Sequence, residues 1–259
     1  MPTPYGMPIW YELITGDAAT AKTFYGDIVG WTTTEFPSPD GNGAYTIWNA
    51  GEAGVGGLVQ MTDAPGGPAW LAYFHVADVD AKATTNSAAG GKTHMGPVDL
   101  PQVGRIALIE DPQGVIFYLM TPDPAMDGFE NTSFDRHLPM RCAWNELTTT
   151  DAAKALPYYE DLLGWASNEA MPMGAMGDYS FLDVGETRIG AMMNRSAPEQ
   201  PVKWSFYFRV PDADAAAEQV KASGGTVIMG PMEVPGGERV VIAVDPTGAS
   251  VGFVSGEEQ

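Results

Sequence analysis

The chain has 259 residues, 44% of them apolar, which is enough for two modules of ordinary domain size, each with its own core. Its 33 acidic and 13 basic side chains leave a formal charge of −20, a field that repels phosphates and argues against nucleic acid or an anionic membrane surface as partner. The single cysteine, Cys142, allows no intrachain disulfide and no thiolate metal cluster, and no apolar run approaches the roughly 20 residues of a membrane span.

The first residues, Met-Pro-Thr-Pro-Tyr-Gly-Met-Pro, have neither a basic start nor an apolar run, so no signal peptide is read there and cytoplasm is the expected location. Ile9 to Thr15 alternates as a half-buried strand does. Asp17 is placed to cap a helix over 18–29, where alanines favour the helix and Phe24, Tyr25, Ile28 and Val29 recur at helical spacing. Gly30 supplies a left-handed stop. Ala44 to Asn49 and Gly54 to Met61 read as two short strands around Gly51-Glu52, followed by a strand from Trp70 to Val76. Asp78-Val-Asp80 opens a second helix through Ala88, ended by Gly90-Gly91. Gly96-Pro97 and Pro101 predict breaks before a strand from Arg105 to Glu110, and Asp111-Pro-Gln-Gly114 predicts a hairpin turn into Val115 to Met120. Residues 122–141, with Pro122, Pro124, Gly128 and Pro139, read as a linker.

Everything then repeats at a fixed offset of 134 residues without a gap. Trp10-Tyr-Glu-Leu-Ile-Thr-Gly-Asp17 returns as Trp144-Asn-Glu-Leu-Thr-Thr-Thr-Asp151, and 12 of the 22 positions of 10–31 are identical in 144–165. Tyr25/Tyr159, Trp31/Trp165, Trp70/Trp204, Arg105/Arg239 and the two Asp-Pro-x-Gly turns, at 111 and 245, keep the register. Such a repeat is too long for a solenoid unit and is the size of a small domain. The expected organisation is a first domain over 1–121, the linker, and a second domain over 142–259. Each copy reads βαβββαβββ.

These residues together resemble the vicinal oxygen chelate superfamily, which includes glyoxalase I, bleomycin-resistance proteins and extradiol dioxygenases. The likeness lies in Asp17-(x)6-Phe24-Tyr25-(x)4-Gly30-Trp31, in Tyr73-Phe74-x-Val76 running into Asp78-Val-Asp80, in Gly90-Gly91 and in Asp111-Pro-x-Gly114. All recur in copy two, with Tyr158 in place of Phe24. The resemblance implies an α+β protein of tandem glyoxalase-like domains, four βαβββ units whose mostly antiparallel curved sheets form open cups.

Strand alternation sorts side chains between cup and core. Trp10, Glu12 and Ile14 are expected in the first cup and Trp144, Glu146 and Thr148 in the second. Leu71, Tyr73 and His75 join the first set, and Ser205, Tyr207 and Arg209 the second. After the turns come Ile116, Tyr118 and Met120, then Ser250, Gly252 and Val254. Trp48, Trp70, Tyr45, Trp204 and Tyr179 add aromatic surface that suits either a flat organic ligand or core packing.

Metal-using members of the superfamily place a His or Gln on the first strand, a His near the start of the strand before the second helix and a Glu after the turn. Residue by residue these positions are Trp10 and Trp144, Leu71 and Ser205 or a neighbour, and Tyr118 and Gly252. None is a good ligand for a divalent cation, so no metal or other cofactor is expected there. Glu12, Glu146 and His75 leave two alternatives: a metal in shifted geometry, or general acid–base chemistry. A glutamate anchored to a tyrosine or arginine of its own cup is a third account. His75 and Arg209 stand at equivalent positions, as a proton shuttle and an anion holder or as solvated rim residues. Arg105 and Arg239 either reach over a cup to an anionic ligand or pair with surface acids.

The expectation is thus a protein that binds a small organic molecule through Trp10, Tyr73, Tyr118, Arg105, Trp144, Tyr207, Arg209 and Arg239. The competing expectation is a lyase, isomerase or dioxygenase using Glu12, Glu146 and His75 with or without a divalent metal. A purely structural protein would have filled cups. Duplication within one chain makes a monomer feasible beside a homodimer.

Overall fold

A computed structural model describes residues 3–37, 44–123 and 130–256. The first two residues of the N-terminal stretch, and Pro124 and Gly128 of the linker, lie outside the described residues. The fold is α+β: among the described residues there are sixteen strands and four α-helices. Copy one contributes β1 (Pro8–Thr15), α1 (Ala18–Val29), β2 (Thr32–Pro37), β3 (Ala44–Ala50), β4 (Ala53–Gln60), β5 (Ala69–His75), α2 (Val79–Ala88), β6 (Lys92–Leu100), β7 (Gly104–Glu110) and β8 (Ile116–Pro122). Copy two repeats them as β9 (Cys142–Thr149), α3 (Ala152–Leu163), β10 (Ala170–Pro172), β11 (Asp178–Val184), β12 (Thr187–Asn194), β13 (Lys203–Arg209), α4 (Ala213–Ala222), β14 (Thr226–Glu233), β15 (Arg239–Val244) and β16 (Ser250–Ser255). No helix among the described residues is long and apolar enough to cross a membrane.

The strands form two mixed eight-stranded sheets, ordered β2-β3-β4-β1-β5-β8-β7-β6 and β10-β11-β12-β9-β13-β16-β15-β14. β1 pairs with β4 and β5 with β8 in parallel, as do their copy-two counterparts, whereas β2–β3, β3–β4, β6–β7 and β7–β8 and their counterparts pair antiparallel. Local signals set the helices. Asp17 accepts from the Thr20 amide at 3.0 Å and its hydroxyl at 2.6 Å, and Gly30 closes α1 at φ 86°. Asp78, Asp151 and Asp212 cap the other three helices. The hairpin turns form as expected. Asp111 accepts from the amides of Gln113 and Val115 at 2.7 and 2.9 Å, and Gly114 takes φ 97°.

Two strands escape sequence periodicity. The Gly96-Pro97 break expected from sequence lies inside β6, which continues through it by shifting register between Thr93 and Met95 and again before Val98. β6 is an edge strand, where a proline without an N–H and a bulge are both tolerated. β2, also an edge, is Thr-Thr-Thr-Glu-Phe-Pro, with no apolar alternation to mark it.

The chain condenses into two compact units, each drawn from both copies. The first unit takes Met1–Ile9, Leu71–Asn131 and Asn145–Trp204, and the second takes Trp10–Trp70, Thr132–Trp144 and Ser205–Gln259. In the second unit Tyr25 lies fully buried among Trp31, Trp48 and Trp70, with ring centroids 5.9, 5.7 and 5.2 Å away, and Phe208 packs on Trp31 at 4.8 Å. In the first unit Tyr159 stacks on Trp165 at 5.0 Å, beside Trp204 and Phe117. Trp48, Trp70 and Trp204, offered above as cup aromatics, are therefore core residues, and the repeated pairs Tyr25/Tyr159, Trp31/Trp165 and Trp70/Trp204 serve packing.

Candidate functional site

The side of β1–β4 turned away from the buried Tyr11 and Leu13 carries Trp10 and Glu12 of the second unit. The indole Nε1 of Trp10 donates to Tyr45 Oη at 2.9 Å, and Tyr45 donates to Glu12 Oε2 at 2.8 Å. An indole can only donate, so the phenol must accept from it and spend its own proton on the carboxylate. The bonds therefore run one way, towards Glu12, which is 5% exposed. Glu12 stands beside Gly57 in the parallel register, and a Cβ at 57 would lie 1.6 Å from Tyr45 Oη. Glycine there is what lets the phenol settle over the sheet.

The equivalent face in the first unit carries Glu146, which accepts from Tyr179 at 2.8 Å and has Ala191 beside it in register. A residue the sequence reading missed adds a charge. Lys203 is half-buried; desolvation pulls its ammonium pKa down and the field of Glu146 pushes it up. Its counterpart in copy one is Ala69. A lysine two residues before Ser205, on the same side of β13, was the signal available.

Tyr73 and Tyr118, partners in the β5–β8 register, stack at 4.1 Å and 9° in the first unit. In the second unit glycine replaces the second tyrosine. The ring of Tyr207 lies over Gly252, where a Cβ would stand 2.3 Å from it. Tyr207 belongs to an apolar cluster with Ala143, Val254, Trp144, Val240 and Ile242, and the Arg136 guanidinium sits 5.0 Å over the Trp144 ring.

Arg209 is not a solvated rim residue. It is 7% exposed and donates to the carbonyls of Arg136 at 2.7 Å and Gly256 at 2.6 Å and to the Glu238 carboxylate. His75, in the first unit, is half-buried with its pKa lowered, chiefly by desolvation. Its Nδ1 lies 3.2 Å from the Pro4 carbonyl, which can only accept, so Nδ1 carries the proton; the ring lies 4.8 Å from Tyr5. Arg105 and Arg239 take the second of the alternatives open to them. Arg105 binds Asp80 at 2.5 Å and Asp99 at 2.8 Å, and Arg239 binds Asp214 at 2.6 Å. Cys142 is fully buried and its thiol is pushed up to about 12 by desolvation, which makes it an inert core thiol. His94 contacts Glu110 at 2.7 Å.

Each unit also has a cleft at a helix start. That of the second unit, about 240 Å³, is lined by Asp17, Met61, Thr62, Pro68 and Thr247. That of the first, about 320 Å³, is lined by Asp111, Gln113, Thr150, Asp151, Lys154 and Tyr158. Neither includes a glutamate of the sheet faces. No three His, Cys, Asp or Glu side chains among the described residues are arranged to hold a metal ion.

Two eight-stranded sheets built from duplicated βαβββ units define the fold. The family model described as Glyoxalase/Bleomycin resistance protein/Dioxygenase superfamily matches residues 9–119 and 141–253, and the chain belongs to that superfamily. It is 33% identical over 254 residues to "Putative glyoxylase CFP32" of Mycobacterium bovis, covering 94% of this chain and 92% of that one. It is 29% identical over 263 residues to the anthracycline biosynthesis protein DauV of Streptomyces sp. (strain C5), covering 96% and 93%. Among solved structures, homoprotocatechuate 2,3-dioxygenase from Arthrobacter globiformis aligns with a TM-score of 0.69 at 18% identity, over 99% of this chain and 81% of that one. The Mn(II)-bound glyoxalase from Novosphingobium aromaticivorans aligns with a TM-score of 0.66 at 18% identity, over 97% and 82%. At that identity the structural likeness concerns the fold.

Proposed function

We propose that this superfamily member binds a small organic molecule, flat and aromatic or anionic, on its glutamate–tyrosine faces, and that it does so without the superfamily's divalent metal. The observation that carries the reading is the Trp10–Tyr45–Glu12 relay, a buried carboxylate preorganised by donors on a sheet face rather than inside a core. The stacked Tyr73 and Tyr118, 7% and 8% exposed, back the first unit's sheet with a flat aromatic pair. The residues at the ligand positions do not fit a cation: Trp10 is a donor engaged with Tyr45, Tyr118 is stacked, and Tyr207 covers the place where a side chain at 252 would grow. The anthracycline biosynthesis relatives favour a polycyclic aromatic ligand.

Quenching of tryptophan fluorescence by anthraquinone-2-carboxylate tests the reading, with plasma mass spectrometry of the protein after dialysis against iron, manganese, nickel and zinc. Saturable quenching with no retained metal supports it. Stoichiometric, tightly held metal overturns the metal-free half, and absence of quenching overturns the ligand.

A second reading is an enzyme of lyase, isomerase or dioxygenase type using Glu12, Glu146 and His75. The half-buried His75, its Nδ1 proton held by Pro4, has the form of a general base. Loss of turnover with retained folding in Glu12→Gln or His75→Gln would favour it. We take the assembly to be a monomer or homodimer, to be read by light scattering.

A further inference from the structure

In a chain this acidic every ammonium has carboxylates to choose from. Five of the six lysines use an acid or a carbonyl: Lys22 binds Glu35, Lys82 the Asp161 carbonyl, Lys92 Glu110, Lys154 Asp151 and Lys221 Glu218. These are mostly exposed groups that water would have satisfied. Lys203 is the exception. Half-buried, it has lost part of its hydration, yet among the described residues its ammonium makes no hydrogen bond or ion pair and only senses the field of Glu146.

Its direction follows from the strand. Trp204, Phe206 and Phe208 point into cores, so Lys203, Ser205 and Tyr207 share the other side of β13, the side on which β9 presents Glu146. An ammonium has three donors, and a carboxylate or phenolate brought to this face would meet one already partly stripped of water. Glu146, itself held by Tyr179, keeps the lysine from being a lone buried charge. Copy one has Ala69 at this position, with no charge to offer. The duplicated faces are thus chemically unlike.

We infer that Lys203 is a specificity-determining residue that receives the anionic group of the ligand on the copy-two face, which makes an aromatic acid, carboxylate or phenolate, the favoured class. The inference rests on the ligand-binding function proposed above and narrows it.

The test uses the full chain and two probes, anthraquinone-2-carboxylate and its neutral 2-carboxamide, titrated by tryptophan fluorescence into wild type, Lys203→Met and Lys203→Arg. The acid is expected to bind wild type about tenfold or more tightly than the amide, as a charge-assisted hydrogen bond allows. Lys203→Met should abolish that preference without weakening the amide, and Lys203→Arg should keep part of it. An independent readout is the ¹³C resonance of reductively dimethylated Lys203, identified by its absence in Lys203→Met, which should move with benzoate and not with benzamide. If both anthraquinones bind but Lys203→Met treats them as wild type does, and the resonance stays still, the role of Lys203 is wrong and ligand binding stands. If neither probe binds and the resonance stays still, both fall.

Discussion

Tyr25 donates to Asp245 at 2.9 Å across 220 residues of sequence, joining the first helix of copy one to the last hairpin turn of copy two. Tyr159 donates to Asp111 at 3.0 Å, the same bond with the copies exchanged. The aspartate that shapes each Asp-Pro-x-Gly turn thus also receives a buried phenol from the other copy. Tyr25 accepts, in addition, from the Trp70 indole at 2.8 Å. Tyr25→Phe leaves a buried indole donor and a carboxylate oxygen without their partner and is expected to lower stability by about 2–3 kcal/mol. Tyr159→Phe, which deprives the Asp111 carboxylate, is expected to lower it by about 1–2 kcal/mol. Urea unfolding at neutral pH measures both. Negligible losses would show that the ring packing, and not the hydroxyls, holds these sites, and equal losses that the Trp70 donor adds nothing.

Asp111 gives the molecule a pH dependence. Burial raises its pKa above the usual carboxylate range, outweighing the backbone amides and the Tyr159 hydroxyl that favour the charged form. The folded state therefore holds this proton more tightly than the unfolded chain. The resulting stability is complete below the unfolded pKa of roughly 4 and is lost as pH rises through the higher folded value. Asp111→Asn cannot titrate, so its destabilisation relative to wild type should be largest near pH 4 and shrink towards pH 7. Chemical unfolding of both proteins across that range reads the difference. A difference that grows with pH would mean that the folded pKa is lowered.

The fold was legible because its signals are local and doubled. Aspartate caps, left-handed glycines and the Asp-Pro-x-Gly turns act within a few residues, and the repeat confirms each one. The edge strands β2 and β6 were not legible, since an edge exposes a polar or proline-bearing sequence that carries no period. Alternation placed Glu12 and Glu146 on the sheet faces, but it does not report reach. Trp48 and Trp70 became core because they surround Tyr25, and Arg209 was drawn inwards by two carbonyls and Glu238. Lys203 went unnoticed because a lysine at the start of a strand looks like any solvated charge until its half-burial and lack of an ion pair are seen.

Gly252 is set by its neighbour. A Cβ there would stand 2.3–2.7 Å from three atoms of the Tyr207 ring, and Tyr207, 5% exposed and packed against Val254, has little room to turn away. Gly252→Ala is expected to cost about 1–3 kcal/mol through overpacking. Thermal unfolding measures the cost, and near-ultraviolet circular dichroism should change as the tyrosine is displaced. The companion Tyr207→Ala/Gly252→Ala should lose less than the sum of the two single changes, because the clash disappears with the ring. Full additivity would mean that the ring relaxes freely around an alanine.

Gln113 separates the two hairpin turns more sharply than any other residue. Its Oε1 accepts from the hydroxyls of Thr149 and Thr150 and from the Asp151 amide at 2.7 Å, while its Nε2 donates to the Asp151 carbonyl at 2.9 Å. A single side chain of copy one thereby stitches the start of the copy-two helix α3. The equivalent Thr247 turns inward instead, its amide and hydroxyl both donating to Asp245 at 2.8 Å. Gln113→Thr converts the first turn to the chemistry of the second: the new hydroxyl can bond Asp111, but the Asp151 amide loses its partner, and its carbonyl keeps only the amides of Lys154 and Ala155. The expected loss is about 1–2 kcal/mol. It should appear as faster hydrogen exchange at Asp151 and the first turn of α3, while α1, whose start lies by Thr247, keeps its protection. Unchanged exchange at Asp151 would mean that water replaces the glutamine without loss and that the stitch contributes no stability.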